Sequence, residues 1–269
     1  MAAAEFRLTK WYLDAVGADG RAFVGHHAAL VWHGLRLHHA AIMGRDASGR
    51  VTERWGSRGA TPPSLDGAGV RWSPAHPAVA GRWTPRDAAI APGAAQPHRL
   101  LATAEGAVVW TCLLPAADAV ITLPDGGRLE ARGYVERLEL AIRPWALPIE
   151  ELRWGRFIGE ARSLVWIDWR GPAPLSLALL DGRPARVASV ADGAVELAEP
   201  AARLLTAPRA TLREGLLGGS ALGRVPLLAR SLPLRMLQVH ERRWLADGEL
   251  EVRGERERGE VLQELVRWP

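Results

Sequence analysis

Three stretches decide how this chain folds. They are Gly133-Tyr134-Val135-Glu136-Arg137-Leu138-Glu139-Leu140-Ala141-Ile142, the break Pro144-Trp145-Ala146-Leu147-Pro148, and Val165-Trp166-Ile167-Asp168-Trp169-Arg170-Gly171. In the first, Tyr134, Glu136, Leu138, Leu140 and Ile142 recur at every second residue, while Arg137 and Glu139 take the alternate positions. That period belongs to a β-strand with one apolar face. The break cannot continue a central strand, because proline has no N–H for the ladder. The third run resumes with Val165, Ile167 and Trp169 on one face and Trp166, Asp168 and Arg170 on the other.

Outward from these runs the same texture persists. Asp19-Gly20, Asp125-Gly126-Gly127, Asp181-Gly182, Asp192-Gly193 and Asp247-Gly248 punctuate short segments rich in Val, Ile, Leu and Trp. Short strands with closely spaced turns predict an antiparallel sandwich or barrel. Each side of the proline break carries enough strands for one barrel of roughly eight. The expected domains are therefore 1–146 and 147–269. One helical insertion is expected over Leu216–Leu237, interrupted by Gly218-Gly219 and Pro226.

Composition narrows the function. The 34 Lys and Arg against 30 Asp and Glu leave a net charge of +4, with no run of five like charges. A nucleic-acid partner is not expected. Cys112 is the sole cysteine, so neither an intrachain disulfide nor a thiolate zinc cage can form. This favours a reducing compartment, and the cytoplasm is the expected location. No secretory signal and no transmembrane run of about 18 apolar residues is visible. Gly-x-Gly-x-x-Gly, the P-loop and the Gly-x-Ser-x-Gly elbow are all missing.

Glu136 is the leading candidate for chemistry. Its strand face is otherwise apolar, which predicts an inward-pointing acid beside the Tyr134 hydroxyl. Burial disfavours a charged carboxylate, and a neutral acid can protonate an alkene or carbonyl. A structural ion pair with an arginine is the other reading. Tyr12 and Asp14 repeat the spacing; Asp14 either faces a cavity or serves the nearby turn. Asp168 is expected to pair with Arg170, Glu241 to be paired, and Glu264 is a lesser acid candidate. His27, His33 and His39 fall on one face of a single strand, but residues six apart lie roughly 20 Å apart. Only a hairpin at His33-Gly34 would bring them together, and no metal site is expected. Trp110, Trp154 and Trp166, among 12 tryptophans, are candidates to line a pocket for a flat or polyene ligand.

Three segments resemble one family. Trp11-Tyr12-Leu13-Asp14 with Asp19-Gly20-Arg21, Gly133-Tyr134-Val135-Glu136, and the ending Val261-Leu262-Gln263-Glu264-Leu265-Val266-Arg267-Trp268-Pro269 are similar to the carotenoid 1,2-hydratases (hydroxyneurosporene synthases) and their AttH-like relatives. The matches are short but span the chain. The resemblance implies an all-β protein of two tandem lipocalin-like antiparallel β-barrels, working without an organic cofactor. It implies a hydratase, cyclase or isomerase acting on a hydrophobic polyene, terpenoid or polyketide-like molecule. Glu136 stands where the family has Asp in Gly-Tyr-x-Asp. Trp110 stands at the Trp of its His-x-Trp, with Val108 in place of the His. The alternative is a non-catalytic carrier of an apolar small molecule. Either way the expected partner is a hydrophobic small molecule, which is compatible with peripheral membrane contact.

Overall fold

The computed structural model describes residues 6–67, 69–88, 90–217 and 233–269. It divides into two compact units, Met1–Ala146 and Leu147–Pro269. Most of the expected helical insertion, 218–232, lies outside the described residues; the short helix α1, Leu234–Leu237, is its described remainder.

The first unit is a ten-stranded antiparallel sheet. Its strands are β1 (Arg7–Val16), β2 (Ala22–Trp32), β3 (Leu35–Arg45), β4 (Val51–Gly56), β5 (Ser64–Leu65), β6 (Val70–Trp72), β7 (Ala80–Pro85), β8 (His98–Thr103), β9 (Gly106–Thr122) and β10 (Arg128–Leu140). The order is β4-β3-β2-β1-β10-β9-β7-β6-β5, with β8 paired to β9. The sheet is rolled. Trp72 of β6 reaches over Gly25 of β2, where a Cβ would lie 2.5 Å from its ring. The Trp72 indole donates to the Thr61 carbonyl at 2.9 Å, and Ala75 N–H donates to Gly59 O at 3.1 Å. Contacts of this kind, not a strand ladder, bring the β4 and β6 ends together. Inside the roll Trp11, Leu13, Phe23, Ile42, Trp72, Trp83, Leu113, Leu114, Ile121 and Val135 form one core.

The second unit is a closed eight-stranded barrel in strict sequence order. Its strands are β11 (Glu151–Ile158), β12 (Ser163–Arg170), β13 (Leu175–Leu180), β14 (Arg183–Ala191), β15 (Ala194–Glu199), β16 (Ala201–Leu216), β17 (His240–Val252) and β18 (Glu255–Arg267). Phe157, Leu164, Trp166, Leu180, Leu204, Trp244, Ala246 and Val261 fill it. Full closure leaves no edge strand to cap. At one rim, Arg170 Nε donates to Asp168 at 2.9 Å, as the two-residue spacing predicts, and Ser176 donates to the other Asp168 oxygen at 2.6 Å. Arg243 pairs with both Glu241, at 3.0 Å, and Glu264, at 2.8 Å.

Two local expectations change. Val108–Leu113 and Ala119–Leu123 read as separate strands, yet β9 runs through both, with register shifts opposite Tyr134 and between Val135 and Glu136. Pro115 sits at the first shift, where a missing N–H is tolerated. Asp247-Gly248 reads as a turn but lies inside β17. Gly248 is there for space: a Cβ would meet Val261 at 2.5 Å and Phe157 at 2.8 Å. Glycine also decides the barrel wall at Gly155, where a Cβ would lie 2.2 Å from the buried Trp166 ring. Gly155→Ala is expected to cost about 1–3 kcal/mol by overpacking. A fall in the urea midpoint at unchanged slope checks it.

Candidate functional site

The central strands β9, β10 and β1 bring five of the predicted residues together. Register pairs Cys112 with Glu136, Glu136 with Tyr12, Tyr134 with Asp14, and Tyr12 with His26. Directly paired residues point to the same side of a sheet. Tyr12, Asp14, His26, Cys112, Tyr134 and Glu136 therefore share one face, and Trp110 joins it from two residues before Cys112.

This face is not the one expected. Glu136 was predicted to point into the apolar interior, but the core carries the opposite parity: Trp11, Leu13 and Val135. The site face is nevertheless largely withdrawn from water. Asp14 and Tyr134 are fully buried, Tyr12 and Trp110 nearly so, and Glu136 half-buried. Both faces of β1 are thus buried, and alternation alone cannot say which one faces the core.

Glu136 Oε2 is the focus. The Trp110 indole N–H donates to it at 2.5 Å and the Tyr134 hydroxyl at 2.8 Å. Both lone pairs of that oxygen are occupied. Burial pushes the Tyr134 hydroxyl well above its ordinary pKa, with Cys112 and the Glu136 charge adding to it. Tyr134 therefore stays a proton donor in this bond. Burial, then the Glu136 charge, raises Cys112 as well, so it remains a thiol rather than a nucleophilic thiolate. The two register shifts between β9 and β10 fall within this segment, opposite Tyr134 and between Val135 and Glu136, as bulges beside functional sites do.

Gly133, the first residue of the Gly-Tyr-x-Glu segment, has a steric reason. A Cβ there would lie 2.4 Å from the Asp14 carbonyl oxygen and 2.8 Å from the Trp83 ring. Trp83 lies across it and donates its indole N–H to the Asp14 carbonyl at 2.7 Å. Gly133 thus lets a core tryptophan hold β1 beside β10.

Two imidazoles beside the site were missed by sequence reading. His26 packs edge-on against Tyr12 with ring centroids 5.1 Å apart. The His98 ring of β8 lies tilted against Trp110 with centroids 5.5 Å apart, and burial lowers its pKa, which favours the neutral ring. His98 is the direct cross-strand partner of Trp110, so its imidazole comes to the site from another strand. Only the β8–β9 register reveals this. Trp154 and Trp166 belong to the second unit, on β11 and β12. Trp166 is part of the barrel core, and Trp154 lies on the alternate face of β11.

The histidine cluster rearranges. His33 and Gly34, with φ of 50° and 77°, form the two-residue turn of a β2–β3 hairpin. Reversal of the chain puts His27 near His38, with Nε2 and Nδ1 3.3 Å apart, and leaves His39 on the other face. Among the described residues no three His, Cys, Asp or Glu side chains converge as a metal site. Burial, and then the proximity of His38, lowers the His27 pKa from 6.5 to about 4. The folded state thus resists a proton that the unfolded chain accepts. Stability from this residue is present above pH 6.5 and is lost as pH falls from there through about 4. The loss is expected to reach about 1–3 kcal/mol, tempered by the exposed His38 beside it. His27→Leu should flatten that part of the profile, measured by denaturant unfolding at pH 7 and 4.5.

No protein-family model and no curated protein sequence matches the chain. Solved structures do. CghA bound to Sch210972 is 12% identical with a TM-score of 0.58, over 97% of this chain and 88% of that one. AttH from Nitrosomonas europaea is 13% identical with a TM-score of 0.56, over 97% and 92%. Kievitone hydratase from Nectria haematococca is 11% identical with a TM-score of 0.55, over 98% and 89%. With these similarities across nearly its whole length, the chain has the all-β, AttH-like fold.

Proposed function

We propose that this protein is an acid-catalysed hydratase, cyclase or isomerase of a hydrophobic small molecule, with Glu136 as the acid. The observation that carries this reading is the pair of donors on Glu136 Oε2. With that oxygen occupied, the acidic proton sits on Oε1 and is delivered from there to an alkene carbon or a carbonyl oxygen of the substrate. As the proton leaves, charge grows on the carboxylate, and the bonds from Trp110 and Tyr134 strengthen. The carbocation that results is within the chemistry of Tyr12, Tyr134 and Trp110, whose ring faces stabilise positive charge. Capture by water and then loss of a proton completes a hydration, attack by an internal double bond and then loss of a proton a cyclisation, and direct loss of a proton an isomerisation; the Glu136 carboxylate takes up that proton and is restored as the acid.

Kievitone hydratase, with the same fold, is named as a hydratase. This supports the reaction class, and the resemblance of Gly133–Glu136 to the hydratase segment supports the acid. Incubation in ¹⁸O-water with neurosporene, lycopene or kievitone as probes, followed by mass spectrometry, tests the reading. Conversion of a probe is expected with the wild type, with one labelled oxygen in the product where the reaction is a hydration, and no conversion with Glu136→Gln. Binding of a probe by both proteins without any conversion would instead establish a carrier.

A further inference from the structure

We propose a second ligand site at the mouth of the closed barrel, taking a flat, apolar molecule through one hydrogen-bond-accepting oxygen. Two donors converge there. Trp244 of β17 and Gln263 of β18 are directly paired across the ladder and face the barrel interior. Their residues are only 8% and 6% exposed. The Trp244 indole N–H and the Gln263 amide nitrogen are buried without a hydrogen-bond partner. Leaving two such donors unpaired is expensive, and proteins seldom tolerate it outside sites that receive an acceptor.

Both donors line one cavity, together with Arg153, Trp154, Trp166 and Val190. The space between them is small, about 10 Å³, room for one water. The Trp166 and Trp244 rings make walls suited to a planar apolar body. Charges at the rim are balanced. Arg153 pairs with Glu151 at 2.6 Å and with Asp192, and Glu264 pairs with Arg243 at 2.8 Å. A neutral carbonyl therefore suits the site, with no excess charge calling for an ion.

The Arg153–Asp192 contact is the roof. Asp192 lies in the turn between β14 and β15 with its side chain 83% exposed, so it can swing away without disturbing the core. In the closed state the enclosed space has room for one water. A ligand enters when the roof opens, and its oxygen takes over both donors. The site belongs wholly to the second unit and uses nothing from the Glu136 cluster.

Prodan, an acyl-aminonaphthalene with one carbonyl, is a direct probe for the full-length chain. Saturable binding at one site is expected, read by energy transfer from tryptophan. Trp244→Phe, which deletes only the N–H and a little ring, and Gln263→Leu should each weaken it about tenfold. The same aminonaphthalene without its acyl group should bind weakly and ignore both substitutions. Asp192→Ala, on an exposed turn, should leave the fold intact and speed association. Absence of saturable binding in both the wild type and Asp192→Ala would overturn the proposal. So would equal affinity for the Trp244→Phe and Gln263→Leu variants. Glu136→Gln should bind prodan unchanged; loss of binding there would mean the probe reads the first unit, and the barrel-mouth site would fall.

Discussion

Replacing Glu136 by Gln is expected to lower turnover about 10²–10⁴-fold, the usual contribution of a positioned general acid. The amide keeps the size of the carboxyl and its oxygen still accepts from Trp110 and Tyr134, so fold and ligand binding should persist. What disappears is the proton. Glu136→Asp should retain more activity than Gln, because it keeps the acid and shifts it by one methylene. Trp110→Phe and Tyr134→Phe each remove one donor from Oε2 and should lower kcat without matching increases in KM. Turnover of Glu136→Gln equal to wild type, in circular-dichroism-verified protein, would remove the acid role.

Trp83→Ala should destabilise the first unit by about 3–5 kcal/mol, the largest structural effect expected here. The side chain is fully buried, in contact with Phe23 and lying over Gly81 and Gly133. Its removal leaves a cavity and takes the indole N–H from the Asp14 carbonyl. Trp83→Phe separates the two parts: most of the packing survives, while the hydrogen bond is lost at about 1–3 kcal/mol. Because that bond holds β1 against β10 beside Tyr134, Trp83→Phe should also reduce activity in protein that remains folded. Denaturant unfolding followed by fluorescence measures the first effect, and product formation at saturating probe measures the second.

The Gly-Tyr-x-Glu segment is instructive about what can be read from sequence. Period-two alternation puts Tyr134 and Glu136 on one face, and the structure agrees, because neighbours two apart on one strand cannot do otherwise. Alternation does not say which face is the core. Here both are buried, and Glu136 lies on the face opposite Trp11, Leu13 and Val135 of the core. The same limit appears at His27 and His39. Their shared parity holds for a straight strand and fails once His33-Gly34 turns the chain back. Trp110, 26 residues before Glu136, gains its physical role from the bond it donates to that carboxyl, which no local period predicts. His26 and His98 carried no local signal, since each reaches the site only through a cross-strand register.

The sequence by itself determined the strand-rich fold class, the break at Pro144–Pro148, the pairing of Asp168 with Arg170 and the company of Tyr134 with Glu136. All of these are short-range: they follow from side-chain period, from proline's missing N–H and from neighbours two residues apart. Tertiary structure alone decided that Trp110, Tyr134 and Glu136 meet at one oxygen, that Trp83 holds β1 across Gly133, and that the acid lies on the face away from the main core. Those facts depend on register between strands distant in the chain, set by bulges and by close packing. A two-residue period is blind to both.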